Sequence, residues 1–236
     1  MKAPLVTVCA REAIAASGIL DNKYFALVEN GMMTLPQFKS SQEQFFFAVN
    51  YFPRPMAALI ARIPSARARI NILQNLVEEH GEFEEQAFHC TTFKRFLASL
   101  SVENAETMPA MMPGVHAFNS ALMGVCANDE VEVAIACLGS VEFAFSTISA
   151  RIAQAVVDRG WVAPDKLVHY CLHAELDEKH ADDFFAVIEE SFLTDKRILI
   201  EQGVRLGLYC LDRLYTDMLD HGRKFTEVEQ SLTIAE

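Results

Sequence analysis

The sequence is short of several things, and each shortage excludes a class of protein. Lys and Arg number 20 against 32 Asp and Glu, a formal net charge of −12. Phosphate backbones are gripped by clustered Lys and Arg, so no nucleic-acid partner is expected. The same acid excess opposes rest on an anionic membrane surface. A bilayer span takes about 20 mostly apolar residues. The longest apolar stretch, Val131 to Ile148, is interrupted by Glu142, so no span is expected. The six cysteines (Cys9, Cys90, Cys126, Cys137, Cys171 and Cys210) show no Cys-x-x-Cys pair. They read as reduced core thiols rather than disulfides or a redox motif. Near the amino terminus, Arg11 and Glu12 break the apolar run that a secretory signal needs. The expectation is a soluble, cytoplasmic protein. Gly (10) and Pro (8) are sparse, Trp is single, and no repeat, low-complexity tract or Gly/Ser linker divides the chain.

What the chain does hold is apolar surface. Half of it (51%) is hydrophobic, which excludes disorder and supports a deep core. The apolar residues recur at the helical period nearly throughout, with almost no β-branched alternation. Thr34 and Gln37 form a capping-box pattern before a long Phe-rich helix, which Pro53 and Pro55 should bend. Ser65 should start a helix ending near Gly81. Further helices are predicted over Phe83–Leu100, from Pro113 to Val125, over Glu130–Val157, from Ala163 to about Phe192, and from Asp195 to about His221. The predicted fold is all-α, a single bundle of seven or eight helices over residues 1–225 with a loose tail over 226–236.

Three places carry chemistry. His173, Asp177 and His180 sit at offsets of 0, 4 and 7, within roughly 60° on one helix face. Two imidazoles and a carboxylate suit iron, manganese or zinc; the competing reading is a solvated polar face. Glu142 lies among apolar, small and hydroxylic residues. A lone buried carboxylate costs several kcal/mol unless it is paired, for instance with Arg151, or bound to a metal. Finally, Glu78, Glu79, Glu82, Glu84 and Glu85 precede His89, and one of them could share a metal with it. His80, His116, His169 and His221 read as surface or loop residues. No Glu-x-x-His is present, so a ferritin-type site is not expected.

In chain order, Asn75-Leu-Val-Glu78-Glu79, His89, the mid-helix Glu142 and His173-x-x-x-Asp177-x-x-His180 resemble the haem-oxygenase-like di-iron oxidases. The resemblance spans about residues 40 to 220. It implies a haem-oxygenase-like bundle holding two iron ions on Glu79, His89, Glu142, His173, Asp177 and His180, with O2 as cosubstrate. It also implies a homodimer. The register from Asn75 selects Glu79, with Glu82 as the alternative two helical turns before His89. Two Fe(II) ions bring four positive charges, of which the three carboxylates cancel three, making the buried charge tolerable.

Such a centre needs a dry cavity beside it. Candidate walls are Phe45, Phe46, Phe47, Tyr51, Phe52 and Phe88, and Arg54, Arg62, Lys94 and Arg151 could anchor a small carboxylate substrate. Phe47, Tyr51, Phe88 and Lys94 are the pocket residues expected here. Members of the family fragment lysine, N-oxygenate arginine derivatives, decarboxylate fatty acids, or convert their own tyrosine to p-aminobenzoate. The last branch uses a Lys ten residues after the central Glu, where this chain has Ile152, which argues against self-sacrificing p-aminobenzoate synthesis. Its aromatic-rich first half and ligand spacing are similar to the nitrile-forming branch. The resemblance therefore implies an amino-acid substrate and, more narrowly, rearrangement of a brominated tryptophan to an indole-3-carbonitrile in natural-product biosynthesis. Two alternatives stand beside it. One is a metal-independent thiaminase-like or quinone-forming enzyme, for which Cys137 is the cysteine nearest Glu142; the other is a non-enzymatic acidic interaction module.

Overall fold

The computed structural model describes residues 4–102 and 109–233, with side chains for all of these except 175 and 223–233. Ten α-helices and four short 3-10 turns, with no strand, make up the described residues. The first two helices, α1 (Leu5–Ser17) and α2 (Lys23–Glu29), go beyond the predicted set. Gly18 ends α1 in the left-handed conformation at φ 68°, which glycine adopts without penalty. The Asn22 side chain caps α2 by accepting from Tyr24 N.

At the start of α3 (Leu35–Tyr51) the capping box is complete. The Thr34 hydroxyl accepts from Gln37 N, and Gln37 Oε1 accepts from Thr34 N at 3.0 Å. Pro53 then opens α4 (Pro53–Arg62) directly after α3, so the predicted bent helix is two helices meeting at Phe52. Ser65 caps α5 (Ala66–Glu79), where the sequence placed it.

The next stretch departs from prediction. Gly81, Glu82 and Phe83 all have positive φ (55°, 54° and 71°), and a right-handed helix cannot pass through them. Residues 81–87 instead form two 3-10 turns, and α6 (His89–Ser99) begins six residues later than predicted. After α7 (Pro113–Asn128), α8 (Val131–Asp158) and α9 (Val168–Phe192), the last helix α10 (Arg197–Thr233) runs past its predicted end near His221. Gly222 does not stop it, because no proline or left-handed residue follows; residues 234–236 lie outside the described part.

The bundle is organised around α8, which packs mainly against α9 and α10. Small residues set the crossings. A Cβ on Gly203 would overlap the Val133 carbonyl, and one on Gly207 would overlap the Cys137 carbonyl and Ser140. The two backbones therefore lie in direct contact, and Ser140 Oγ donates to Val204 O at 3.1 Å across the seam. Gly139 makes room in the same way for Phe184 and Phe185 of α9. By length and apolarity α8 could cross a membrane, but 83% of its most apolar window is buried in the bundle, as befits a core helix. Each fully buried Val, Leu, Ile or Phe contributes about 1.5–3 kcal/mol. Nearly every apolar side chain from Val133 to Ile148 is buried.

Candidate metal centre

Buried among these apolar residues are six groups that an apolar core would reject. Glu79 ends α5, His89 begins α6, Glu142 sits midway along α8, and His173, Asp177 and His180 share one face of α9. All six are buried, Asp177 and His180 completely. The structure brings them into two touching clusters. In one, His89 Nδ1 is 2.9 Å from Glu79 Oε1, and the His89 and His173 rings are 4.5 Å apart. In the other, His180 Nδ1 is 4.0 Å from Glu142 Oε2 and 3.8 Å from Asp177 Oδ1. His173 Nδ1 meets Asp177 Oδ1 at 2.8 Å. Glu79, Glu142 and His180 offer ligand atoms within 4.8 Å of one another, which joins the clusters.

Hydrogen bonding does not account for this convergence. His89 Nδ1, Glu142 Oε1, His173 Nε2, Asp177 Oδ2 and His180 Nδ1 are all buried without a hydrogen-bond partner among the described residues. The His89–Glu79 contact is close, but it is not aligned as a hydrogen bond. A buried polar atom left unpaired costs about 1–3 kcal/mol. Five of them on facing side chains fit lone pairs directed at cations. The donor set of carboxylates and imidazoles fits iron.

The carboxylates respond to the same crowding. Burial pushes the Glu142 carboxyl well up, and Asp177 and Glu79 push it further. Burial also acts on Glu79, but His89, His173 and His180 outweigh it and hold that carboxyl down at about 2.

Two residues that support the centre lay outside the sequence expectation. Glu78, half-buried on α5, accepts from His180 Nε2 at 2.5 Å and from Lys179 Nζ at 2.9 Å. A carboxylate on the far ring nitrogen fixes the imidazole's orientation and leaves Nδ1 facing Glu142 and Asp177. His169, expected at the surface, is fully buried with its ring 4.3 Å from that of His173. Burial, with His173 and His89 beside it, pushes its pKa well down and keeps it neutral. The helical stripe 169, 173, 177 was the available signal for His169, whereas Glu78, one of the acids preceding His89, carried no signal of a place behind His180. Glu82 is exposed and accepts from Gln74 at 3.1 Å, so the alternative to Glu79 is away from the centre.

Glu79, Glu142 and His173 end an apolar cavity of about 50 Å³, room for a few water-sized molecules. Its walls include Phe45, Val49, Phe52, Phe118, Phe145 and Leu211. The four expected pocket residues lie elsewhere. On α3, positions 45, 48, 49 and 52 share the cavity face. Phe47 and Tyr51 fall off it and line a separate cleft with Arg54 and His116. Phe88 packs edge-on against His80, and Lys94 is exposed over the Phe46 ring. Arg151, the alternative partner for Glu142, forms a salt bridge with Glu29 instead. Arg62 is likewise committed to the Cys126 and Asp129 carbonyls.

Fold and site together define a class: a helical bundle around a buried carboxylate–imidazole centre of the kind that holds transition metals. A profile of the family described as iron-containing redox enzyme matches residues 41–211, and the chain belongs to that haem-oxygenase-like family. It is 24% identical over 196 residues to a 4-aminobenzoate synthase of Chlamydia trachomatis, covering 81% of this chain and 83% of the relative. To the 4-aminobenzoate synthase of Chlamydia muridarum it is 23% identical over 174 residues, 72% of each. A TenA homolog from Pseudomonas syringae superposes with a TM-score of 0.69 at 13% identity, over 92% of this chain and 93% of the other. A domain with a heme oxygenase-like fold from Shewanella denitrificans gives 0.68 at 14%, over 96% and 92%. These two superpositions establish the all-α, haem-oxygenase-like fold.

Proposed function

We propose that the protein is an O2-dependent non-haem di-iron oxidase acting on an aromatic, amino-acid-derived substrate. The observation that carries this reading is the set of five buried ligand atoms, on five of the six converging side chains, that have no hydrogen-bond partner among the described residues. Glu79, His89 and His173 would hold one ion, and Glu142, Asp177 and His180 the other, with Glu79 in reach of both. Bound iron supplies the electrons that activate dioxygen and the Lewis acidity that no side chain offers. The chain supplies the rest. Glu78 orients His180, three carboxylates offset most of the ions' charge, and the Phe45, Phe52, Phe118 and Phe145 walls keep water out.

The metal-independent alternative has less behind it. Burial in apolar surroundings pushes the Cys137 thiol well up, which leaves it inert as a nucleophile.

The two relatives point to an aromatic amine, 4-aminobenzoate, as the product. Rearrangement of a brominated tryptophan to a nitrile is the narrower expectation from sequence, and its indole would occupy the Phe-lined cavity beside Glu142 and His173. A substrate already inside the protein needs no entry path. Tyr24, Tyr170 and Tyr215 are fully buried, and Tyr215 stacks on the cavity residue Phe45 at 5.7 Å. The chain's own tyrosine is thus the second reading. Ile152 supplies no amine to it, so the nitrogen would come from another donor.

Anaerobic Fe(II) titration should saturate near two equivalents per chain, and admission of air should raise a visible absorption band. Saturation below one equivalent would sink the di-iron reading. If the chain's own tyrosine is the substrate, iron, O2, a reductant and a free amine donor such as an amino acid, with no other substrate, should yield 4-aminobenzoate and a matching mass change in a tyrosine peptide. Turnover of bromotryptophan to a nitrile, with no such change, would select the other chemistry.

A further inference from the structure

Six donors make up the expected centre, yet a fourth imidazole lies against it. His169 is fully buried one turn before His173 on α9. Its Nδ1 is 3.0 Å from Thr92 Oγ1, and Thr92 donates its single hydroxyl proton to the His89 carbonyl at 2.9 Å. A hydroxyl that donates elsewhere can only accept from the ring, so Nδ1 carries the proton and Nε2 is a bare lone pair. That Nε2 is buried without a partner among the described residues. Buried nitrogens are nearly always satisfied, so this one calls for a cause.

The ring spacings suggest the cause. His173 lies 4.5 Å from His89 and 4.3 Å from His169, while His89 and His169 are 6.4 Å apart. A ligating imidazole nitrogen stands about 2.1 Å from its ion, which puts the ring centre at about 3.2 Å. Two such rings are then about 4.5 Å apart at right angles and about 6.5 Å apart on opposite sides. The ring-centre separations are those of three imidazoles around one point, with His173 beside both others and His89 across from His169; the ligand atoms already within 4.8 Å of one another are those of Glu79, Glu142 and His180. We propose that His169 Nε2 is a seventh donor of the centre, adding a third imidazole to the half formed by Glu79, His89 and His173. The proposal rests on the di-iron reading above. It makes the halves unequal: one has three imidazoles and a carboxylate, the other two carboxylates and one imidazole. Fewer open positions then remain on the His169 half.

The test is anaerobic titration of the full chain with Co(II), read by visible absorption and calorimetry. His169→Phe keeps an aromatic ring against Phe93 and Tyr170 but removes the nitrogen. It should weaken one of two bound ions at least about tenfold and shift that ion's absorption band. His169→Ala should do the same, and added imidazole should restore both the band and the affinity. If the alanine variant fails to fold, the phenylalanine variant decides. Wild-type affinity and band in both variants would overturn the seventh donor while leaving a two-ion centre standing. A wild-type chain that binds neither ion would overturn the di-iron reading and the seventh donor with it.

Discussion

By backbone the centre divides differently from the two ion sites, into a half on helix interiors and a half at helix ends. Glu142, His173, Asp177 and His180 project from the interiors of α8 and α9, long helices locked by close crossings at Gly139, Gly203 and Gly207. Glu79 and His89 sit at a helix end and a helix start, on either side of a turn with three successive left-handed residues. Non-glycine residues held there cost about 1–3 kcal/mol each and persist only where neighbours enforce them. Bonds from Phe83 N to His80 O and from Glu84 N to Gly81 O, both 2.9 Å, enforce this turn. One half is pre-set by core packing, whereas the other is a clasp held by a few local bonds. The difference suggests that ions meet a fixed wall on α8 and α9 and are closed in by the α5–α6 side.

The largest effects should come from removing a carboxylate from each half. Glu142→Leu and Glu79→Leu should each lose at least one iron in anaerobic titration. The metal-free proteins should then part company. Glu142 has an unpartnered oxygen and two carboxylates beside it, so leucine should stabilise the metal-free fold by about 1–4 kcal/mol. Glu79 is paired with His89, and its removal strands a buried imidazole, so stability should fall. Thermal melts of the metal-free variants check this; shifts of the same sign would erase the distinction between the halves.

Next comes the wall itself. Gly207→Ala should cost about 1–3 kcal/mol by denaturant unfolding, because the new methyl meets the Cys137 carbonyl rather than a movable side chain. Iron affinity should fall with it, since Glu142 lies little more than one turn beyond Cys137 on the displaced helix. Unchanged affinity would show that the wall tolerates movement.

The same contrast explains what could be read from the sequence. His173, Asp177 and His180 were legible because a helix face repeats by fixed geometry, and Glu142 because a charge in an apolar run demands a partner. Extending that face by one turn reaches His169, which by sequence reads as a surface or loop histidine. The clasp was less legible. Choosing Glu79 over Glu82 rested on resemblance, since an offset of seven from His89, two helical turns, left Glu82 in register as the alternative. Left-handed Glu82 and Phe83 break that register, and local propensity does not forecast two such residues after a glycine. Glu78 was illegible because its partner His180 is 102 residues away. The cavity walls were partly legible. Offsets of 0, 3, 4 and 7 from Phe45 trace one helix face, and Phe47 and Tyr51 fall outside it.

Glu78 joins the halves, from α5 to α9, so its loss should act on both. Glu78→Ala should weaken iron binding by about 10–100-fold, as removal of a partner behind a ligating histidine does. Lys179→Ala removes the other group on that carboxylate and serves as the control. Lys179 is exposed, so iron affinity should barely change. Equal losses in the two variants would mean that Glu78 acts through general charge rather than by orienting His180.

The smallest effect should come from the clasp's own strain. Glu82 holds φ at 54° with an exposed side chain that accepts a hydrogen bond from Gln74. Glu82→Gly removes the Cβ that makes this conformation costly, a gain of about 1–2 kcal/mol. Glycine also frees the unfolded chain, which takes back about 0.5–1 kcal/mol. The net should be a stabilisation of about 1 kcal/mol or less, a rise of roughly 2–4 °C at most in the thermal midpoint. Iron stoichiometry should stay at the wild-type value, because Glu82 is outside the centre. Loss of an iron in this variant would return Glu82 to the ligand set and show that the turn rearranges around bound metal. A fall in stability with iron intact would mean that the turn depends on the Gln74 bond more than it suffers from the left-handed backbone.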